Sequence, residues 1–235
     1  MWDSHKLLNS IADALISLSV VLILYGATNY VIHQPSLLPL NTVQLEQPMQ
    51  KATAEEILQA ANAGAKGNLL TVDIEQVKKS LEKISWVRKA SVRREFPDRL
   101  VISLEEQYAL ARWNKKMLVN QYGEIFRADT DKVLPEFFGP GGTSSEVAIY
   151  FDFFSKQLEV VDLYVEKINL TPRYAWRLNL TNGVELELGR EDIEQRMARF
   201  IEAYPSSLAV EQVKFKYVDL RYRNGFAVGG LGRQG

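Results

Sequence analysis

The chain has no cysteine among its 235 residues, which excludes disulfide staples and every form of thiolate chemistry. Histidine is nearly as scarce. The two that occur, His5 and His33, lie outside the stretch whose pattern reads as folded domain. A histidine general base or histidine-based metal site has nothing to build on. Charge of one sign is not in excess either: 28 Lys and Arg against 29 Asp and Glu give a formal net charge of -1. Nucleic-acid binders usually carry a clear basic surplus, so that class is set aside. There is no Gly-x-Ser-x-Gly elbow, no phosphate loop and no cluster of metal ligands. The glycine-rich run GPGG at 139–142 is followed by Thr-Ser rather than Lys-Ser or Lys-Thr and reads as a loop.

What remains is 46% hydrophobic and 24% charged, an ordinary globular balance with room for one large domain or two small ones. The longest apolar run is ALISLSVVLILYGATNYVI, residues 14–32. As a helix it spans roughly 28 Å, close to the hydrocarbon thickness of a bilayer. Ser17, Ser19, Thr28 and Asn29 are tolerable there because a helix satisfies its own backbone and hydroxyls bond back to it. Asp13 marks the inner edge, and Tyr25 and Tyr30 suit the outer interface. The alternative is a buried core helix. Lys6 and the terminal amine precede the run, whereas residues 33–50 hold no Lys or Arg. That bias places the amino terminus inside and the bulk outside. A cleavable signal peptide would need a small-x-small site and a polar break at the end of the run, so an uncleaved anchor is expected.

Beyond the spacer at 33–40 the pattern reads strand, helix, helix, strand, strand. TVQLE alternates as a strand. Thr53, with Glu56 three residues on, makes a capping box for a helix carrying Ile57, Leu58 and Ala61, broken by Gly64 and Gly67. Asp73 caps a second helix with Ile74, Val77, Leu81 and Ile84 at helical spacing. WVRKASVRREFPDRLVISL follows as a hairpin, with Ala90 and Val92 on one face and Lys89, Ser91 and Arg93 on the other, turning at Phe96-Pro97-Asp98-Arg99. The cations Arg88, Lys89, Arg93 and Arg94 read chiefly as a solvated strand face rimmed by Glu95, Asp98, Glu105 and Glu106. A protein-docking face is the second reading, and phosphate or nucleic-acid binding the third.

From about Tyr108 the chain is mostly β. ARWNKKMLVNQYGEIFRA reads as a hairpin turning at Gln121-Tyr122-Gly123, LPEFFGPGGTSS as a loop, and Thr143 or Ser144 as the start of an apolar helix through Leu158. In WRLNLTNGVELEL, 176–188, a two-residue Asn-Gly turn would mix the faces. A three-residue loop sets Leu180 against Val184, Leu178 against Leu186 and Trp176 against Leu188, with Gly183 at positive φ. Glu185 and Glu187 then lie on the outward face of an alternating strand rather than forming a catalytic carboxylate pair. A helix from Glu191 turns Ile193, Met197, Phe200, Ile201 and Tyr204 inward and leaves the heads of Arg190, Arg196 and Arg199 outside. In the last strand, Val213, Phe215 and Tyr217 alternate on one parity and Val218, Leu220 and Tyr222 on the other. A bulge near Tyr217-Val218 reconciles them, and the strand's terminal position suggests a sheet edge.

WVRKASVRREFPDRLVISLEE, ALARWN, LPEFFGP, ELGREDIEQRMARF and above all YVDLRYRNGFAV resemble the FtsQ/DivIB family of bacterial cell-division proteins, in its Gram-negative form. The resemblance covers nearly the whole chain, although the amino-terminal tail is shorter than in longer-tailed members. It implies an α+β protein: a cytoplasmic tail at 1–13, a transmembrane helix at 14–32, a spacer at 33–40, a POTRA domain at 41–108, a mostly antiparallel β domain with packed helices at 109–228 and a tail at 229–235. It implies a non-enzymatic scaffold of the divisome in the inner membrane, with no cofactor. Its partners would be FtsB and FtsL through the β domain, with FtsK, FtsW, FtsI and FtsN as neighbours. By position the partner-binding tract falls on Arg173, Val218, Leu220, Arg221, Tyr222, Asn224, Gly225 and Gly229, with Val218 to Val228 as the pairing strand. Arg88, Lys89 and Arg93 are the candidate docking face of the POTRA domain. Two rival readings are a POTRA-bearing component of an assembly or secretion machine and a membrane-tethered cell-wall hydrolase.

Overall fold

The computed structural model describes residues 4–34, 36–40, 42–208 and 215–230. Pro35 of the spacer, Val213 of the last strand and residues 231–235 of the tail lie outside the described residues. The chain divides into two compact units, Met1–Glu106 and Gln107–Gly235.

The first unit opens with α1 (Ser4–Ile32). It begins ahead of the apolar run, so the helix also takes in residues 4–13. Its stretch Leu8–Ile32 has a mean hydropathy of 1.9, none of it is buried against the protein, and it is long and apolar enough to cross a membrane. Ser19 donates back to Leu15 O at 2.8 Å, as its tolerance in such a helix requires. After α1 come β1 (Thr42–Leu45), α2 (Ala54–Gly64), α3 (Ile74–Leu81), β2 (Val87–Glu95) and β3 (Arg99–Glu106). Both helix starts are capped by their own side chains: Thr53 accepts from Glu56 N–H and Asp73 from Gln76 N–H. The sheet order is β1-β3-β2, with β1 parallel and β2 antiparallel to β3. A bulge between Val87 and Lys89 lets Val87 and Ala90 share the buried face. Ile57, Ala61, Val77, Leu81, Leu100 and Ile102 close the core beneath the helices. Leu58 faces outward, 41% exposed.

The second unit is a nine-stranded mixed sheet with both its helices on one face. Its strands are β4 (Ala109–Trp113), β5 (Met117–Asn120), β6 (Ile125–Phe126), β7 (Glu136–Phe138), β8 (Val165–Leu170), β9 (Trp176–Leu180), β10 (Glu185–Gly189), β11 (Tyr217–Asp219) and β12 (Ala227–Gly229). They are ordered β12-β11-β10-β9-β8-β7-β4-β5-β6. α4 (Ser144–Glu159) and α5 (Ile193–Ala203) bury Val147, Phe154 and Leu158, and Met197 and Phe200, against Ile168, Leu178, Leu186 and Val218 of the sheet. Alternation along β8 to β10 turns Lys167, Arg177, Asn179, Glu185 and Glu187 to the opposite, polar face. There Glu187 meets cations and Asn179 reaches Glu185 at 3.5 Å, so the two glutamates belong to a surface lattice.

Three features depart from the sequence-based expectation. ARWNKKMLVNQYGEIFRA forms two consecutive hairpins, not one. The additional turn is at Asn114-Lys115, both at positive φ (47° and 67°), and the expected turn at 121–123 is organised by Asn120 Oδ1, which accepts from Tyr122 and Glu124 N–H. Glu136–Phe138, expected as loop, is a central strand parallel to both β4 and β8. The 176–189 hairpin has its three-residue loop, with Gly183 at φ +84° and Leu178 opposite Leu186. However, a bulge at its far end sets Trp176 against Gly189 rather than Leu188.

Phe137 stands at the middle of this sheet with no exposure and its ring 5.0 Å from that of Phe151. Phe137→Ala should cost about 3–5 kcal/mol. Chemical denaturation should show the loss confined to the second unit, with the transition of the first unchanged.

Candidate protein-docking edge

β10 and β11 run parallel, Glu185 beside Tyr217 and Glu187 beside Asp219. Parallel neighbours need a crossover, and α5 lies in the connection between them. β12 then doubles back antiparallel on β11, pairing Gly229 with Tyr217, Val218 with Val228 and Asp219 with Ala227. The expected single strand from Val218 to Val228 is therefore two short strands joined by a loop at 220–226. Among the described residues, the edge strand on this side of the sheet is β12, not β11. Val218 and Leu220 are wholly buried in the core, and β11 is paired along both sides. They hold the edge in place and cannot touch a partner.

Arginines build the loop. Arg199 was expected to keep its head outside. Instead its Nη1 donates to the carbonyls of Tyr222 (2.7 Å), Arg223 (2.9 Å) and Gly225 (3.2 Å). One cationic nitrogen thus fixes the backbone of the loop from α5, with the added strength of a charged donor. Arg196 is also drawn in, donating to Leu188 O at 2.6 Å, while Arg190 stays at the surface beside Glu191. Arg221 grips Asp219 with two side-chain bonds, Nε to Oδ1 at 2.8 Å and Nη2 to Oδ2 at 2.6 Å, and adds Glu187 at 3.0 Å. Glu187 reaches Arg177 at 3.6 Å, so the pairs continue across three strands. The Arg221 guanidinium holds the Asp219 carboxyl below the usual carboxylate range, and Asp219 holds Arg221 above its own.

Tyr222 is 57% exposed, which excludes the alternative that it is a core residue of the last strand. Asn224 is exposed and Gly225 half-buried in the same loop. The space left by the missing side chain of Gly229 is already taken from within: a methyl added there would collide with the ring of Tyr217, its cross-strand partner. Tyr217 covers the glycine as aromatic residues cover edge glycines elsewhere. Arg173 is exposed in the 171–175 turn between β8 and β9. Because Trp176 opposes Gly189 and Glu187 runs beside Asp219, that turn and the 220–226 loop emerge at the same end of the sheet. Two strand spacings, roughly 10 Å, separate β9 from β11. The structure thus groups Arg173, Tyr174, Tyr222 and the start of β12 at one corner. Arg199 was the residue that sequence reading missed.

In the first unit the basic cluster is divided. Arg88 pairs with Glu105 at 2.7 Å and Arg93 with Glu46 at 2.9 Å, while Lys89 is exposed. Arg94 does not belong to the solvated face: its Nε donates to Leu69 O and its Nη2 to Val72 O, at 2.8 and 2.7 Å. Among the described residues, no group of three or more His, Asp or Glu side chains converges as a metal site.

Residues 38–107 match the FtsQ-type POTRA domain, and residues 111–221 match the carboxyl-terminal domain of the cell division proteins FtsQ/DivIB. The proteins named cell division protein FtsQ from Nitrosospira multiformis, Burkholderia pseudomallei and Bordetella pertussis are 39%, 35% and 33% identical to this chain. The alignments cover 98%, 99% and 97% of it and 99%, 95% and 92% of the relatives. An apolar helix, a POTRA unit and a one-sided β domain with an open edge define a cell-division protein of the POTRA-containing class. The chain belongs to the FtsQ/DivIB family.

The Asp219–Arg221 pair has a pH signature. A carboxylate whose folded pKa is depressed contributes stability that is present above its unfolded value, 3.8, and lost as the pH falls through the folded one. Asp219→Asn should lower the melting temperature at pH 7. The gap to the wild-type protein should close as the pH drops below about 4, measured by calorimetry across that range.

Proposed function

We propose that the chain is a single-pass scaffold of the bacterial division machinery, its amino terminus cytoplasmic and its two folded units periplasmic, and that it receives an extended partner segment along β12. The observation that carries this reading is an edge strand that, among the described residues, has a strand neighbour on one side only, held beside an exposed aromatic on a loop already fixed by Arg199. Such an edge offers main-chain hydrogen bonds for affinity, and side chains on alternate positions for selectivity. Val228, 42% exposed, is the alternating contact within the strand. Tyr222 is the aromatic anchor, and Arg173 meets an acidic partner group through a forked, charge-assisted bond.

The partner in this reading is the periplasmic segment of FtsB, together with FtsL. FtsK, FtsW, FtsI and FtsN are the neighbours through which septal peptidoglycan synthesis is controlled. The role is positional and not catalytic. Tyr222→Ala and Arg173→Glu should each weaken capture of an FtsB periplasmic segment at least tenfold, about 1.4 kcal/mol. Both side chains are exposed, so the melting temperature should stay within about 2 °C of wild type. Capture at full strength by both variants overturns the reading.

A second surface is carried by its own observation. β2 is the other open edge of the three-stranded sheet, and Lys89 and Arg93 are exposed along it. We propose that this face docks an upstream division protein. The double variant Lys89→Glu, Arg93→Glu should fold normally, since exposed pairs contribute less than about 1 kcal/mol, yet localise poorly to the septum in fluorescence microscopy. Normal localisation returns the cluster to a solvated strand face.

A further inference from the structure

The carboxyl end of α1 does not run into a free linker. Helix ends leave carbonyls without partners, and here Asn68 of the α2–α3 loop supplies donors. Asn68 is 1% exposed. Its Nδ2 donates to Ile32 O at 2.6 Å and Gln34 O at 3.0 Å. Its Oδ1 accepts from Leu70 N–H, Thr71 N–H and the Thr71 hydroxyl, each at 3.0 Å. Leu69 N–H adds a bond to Leu38 O at 3.0 Å. Arg94 holds the same loop through Leu69 O and Val72 O, which draws the β2–β3 turn to this end. Thr42 N–H closes the arrangement on Asp98 O at 3.4 Å.

Three separate pieces of the first unit, the 36–42 segment, the 66–72 loop and the 94–99 turn, are therefore gathered around the end of the apolar helix. Each presents an apolar side chain to the outside: Leu37 is 37% exposed, Leu70 39% and Phe96 62%. The charges at this end are Lys66, Arg94 and Arg99 against Glu95 and Asp98, and Arg94 spends its bonds on carbonyls rather than on a carboxylate. Exposed apolar groups on separate loops, interleaved with cations, are what a bilayer interface accepts. The occupant follows from continuity. If α1 lies in a bilayer, a loop bonded to Ile32 lies at that bilayer's surface.

We propose that this end of the POTRA unit is a membrane-contact site: Leu37, Leu70 and Phe96 enter the headgroup region, while Lys66 and Arg94 face lipid phosphates. The inference rests on α1 being the membrane anchor. The unit then stands on the bilayer in a fixed pose and does not swing on a tether.

The absence of cysteine allows clean labelling of the full-length protein. Leu22→Cys, Leu70→Cys, Phe96→Cys and Ser85→Cys would each carry an environment-sensitive fluorophore. Each variant is placed in vesicles of phosphatidylethanolamine and phosphatidylglycerol containing a lipid spin-labelled near the headgroup or, for Leu22, deep in the acyl chain. Ser85 precedes β2, and Phe96 follows it about 30 Å along the strand, so Ser85 reports the far end of the unit. Quenching at Leu70 and Phe96 should exceed that at Ser85 at least threefold. Strong quenching at Leu22 with no excess at Leu70 or Phe96 over Ser85 overturns this proposal alone, and would leave the patch to a protein partner. No quenching at Leu22 overturns the anchor reading and this inference with it.

Discussion

The proposed docking corner depends on one pairing, the parallel alignment of β10 with β11. Antiparallel neighbours could have been joined by a tight turn. Parallel ones force the chain across a face of the sheet, and the crossover carries α5 with it. Met197 and Phe200 then fill the core beneath β10 and β11, and Arg199 comes within reach of the backbone that follows Leu220. With β11 enclosed between β10 and β12, its Val218 completes the core, while the last short strand lies at the edge. Burial of Val218 and Leu220 and presentation of Tyr222 are consequences of the same alignment.

Legibility in the sequence followed the range of the determining forces. The caps at Thr53 and Asp73, and the register that sets Leu178 opposite Leu186, depend on residues a few positions apart, and pattern alone finds them. β7 was unreadable because three residues between Pro135 and Gly139 carry no period, and only pairing with β4 and β8 makes them a strand. β8, Val165–Leu170, was likewise not foreseen. The Asn114-Lys115 turn lacks the glycine that usually marks positive φ. Arg199 looks like any solvent-facing arginine on an amphipathic helix. Its three acceptors lie 23 to 26 residues downstream, beyond the reach of any local rule.

The two units treat their exposed edges differently. In the first, the edge at β2 is nine residues long and lined with charge, and charges discourage uncontrolled strand pairing. In the second, α4 and α5 cover one face of the sheet while the other is knitted by Arg177, Glu187, Arg221 and Asp219. Strand pairing leaves β12 and β6 as the end strands of the sheet among the described residues.

The brevity of β12 has a further consequence. Amyloid-like growth needs a run of about six or seven extended residues that successive copies can stack upon. β12 offers three, Ala227–Gly229, and the backbone before them is drawn out of the strand direction by Arg199. A second copy of the chain finds a short template, whereas the partner segment proposed above would add contacts beyond the strand at Tyr222 and Arg173. The same brevity that suits the proposed partner segment gives stacked copies of the chain little extended backbone to build upon.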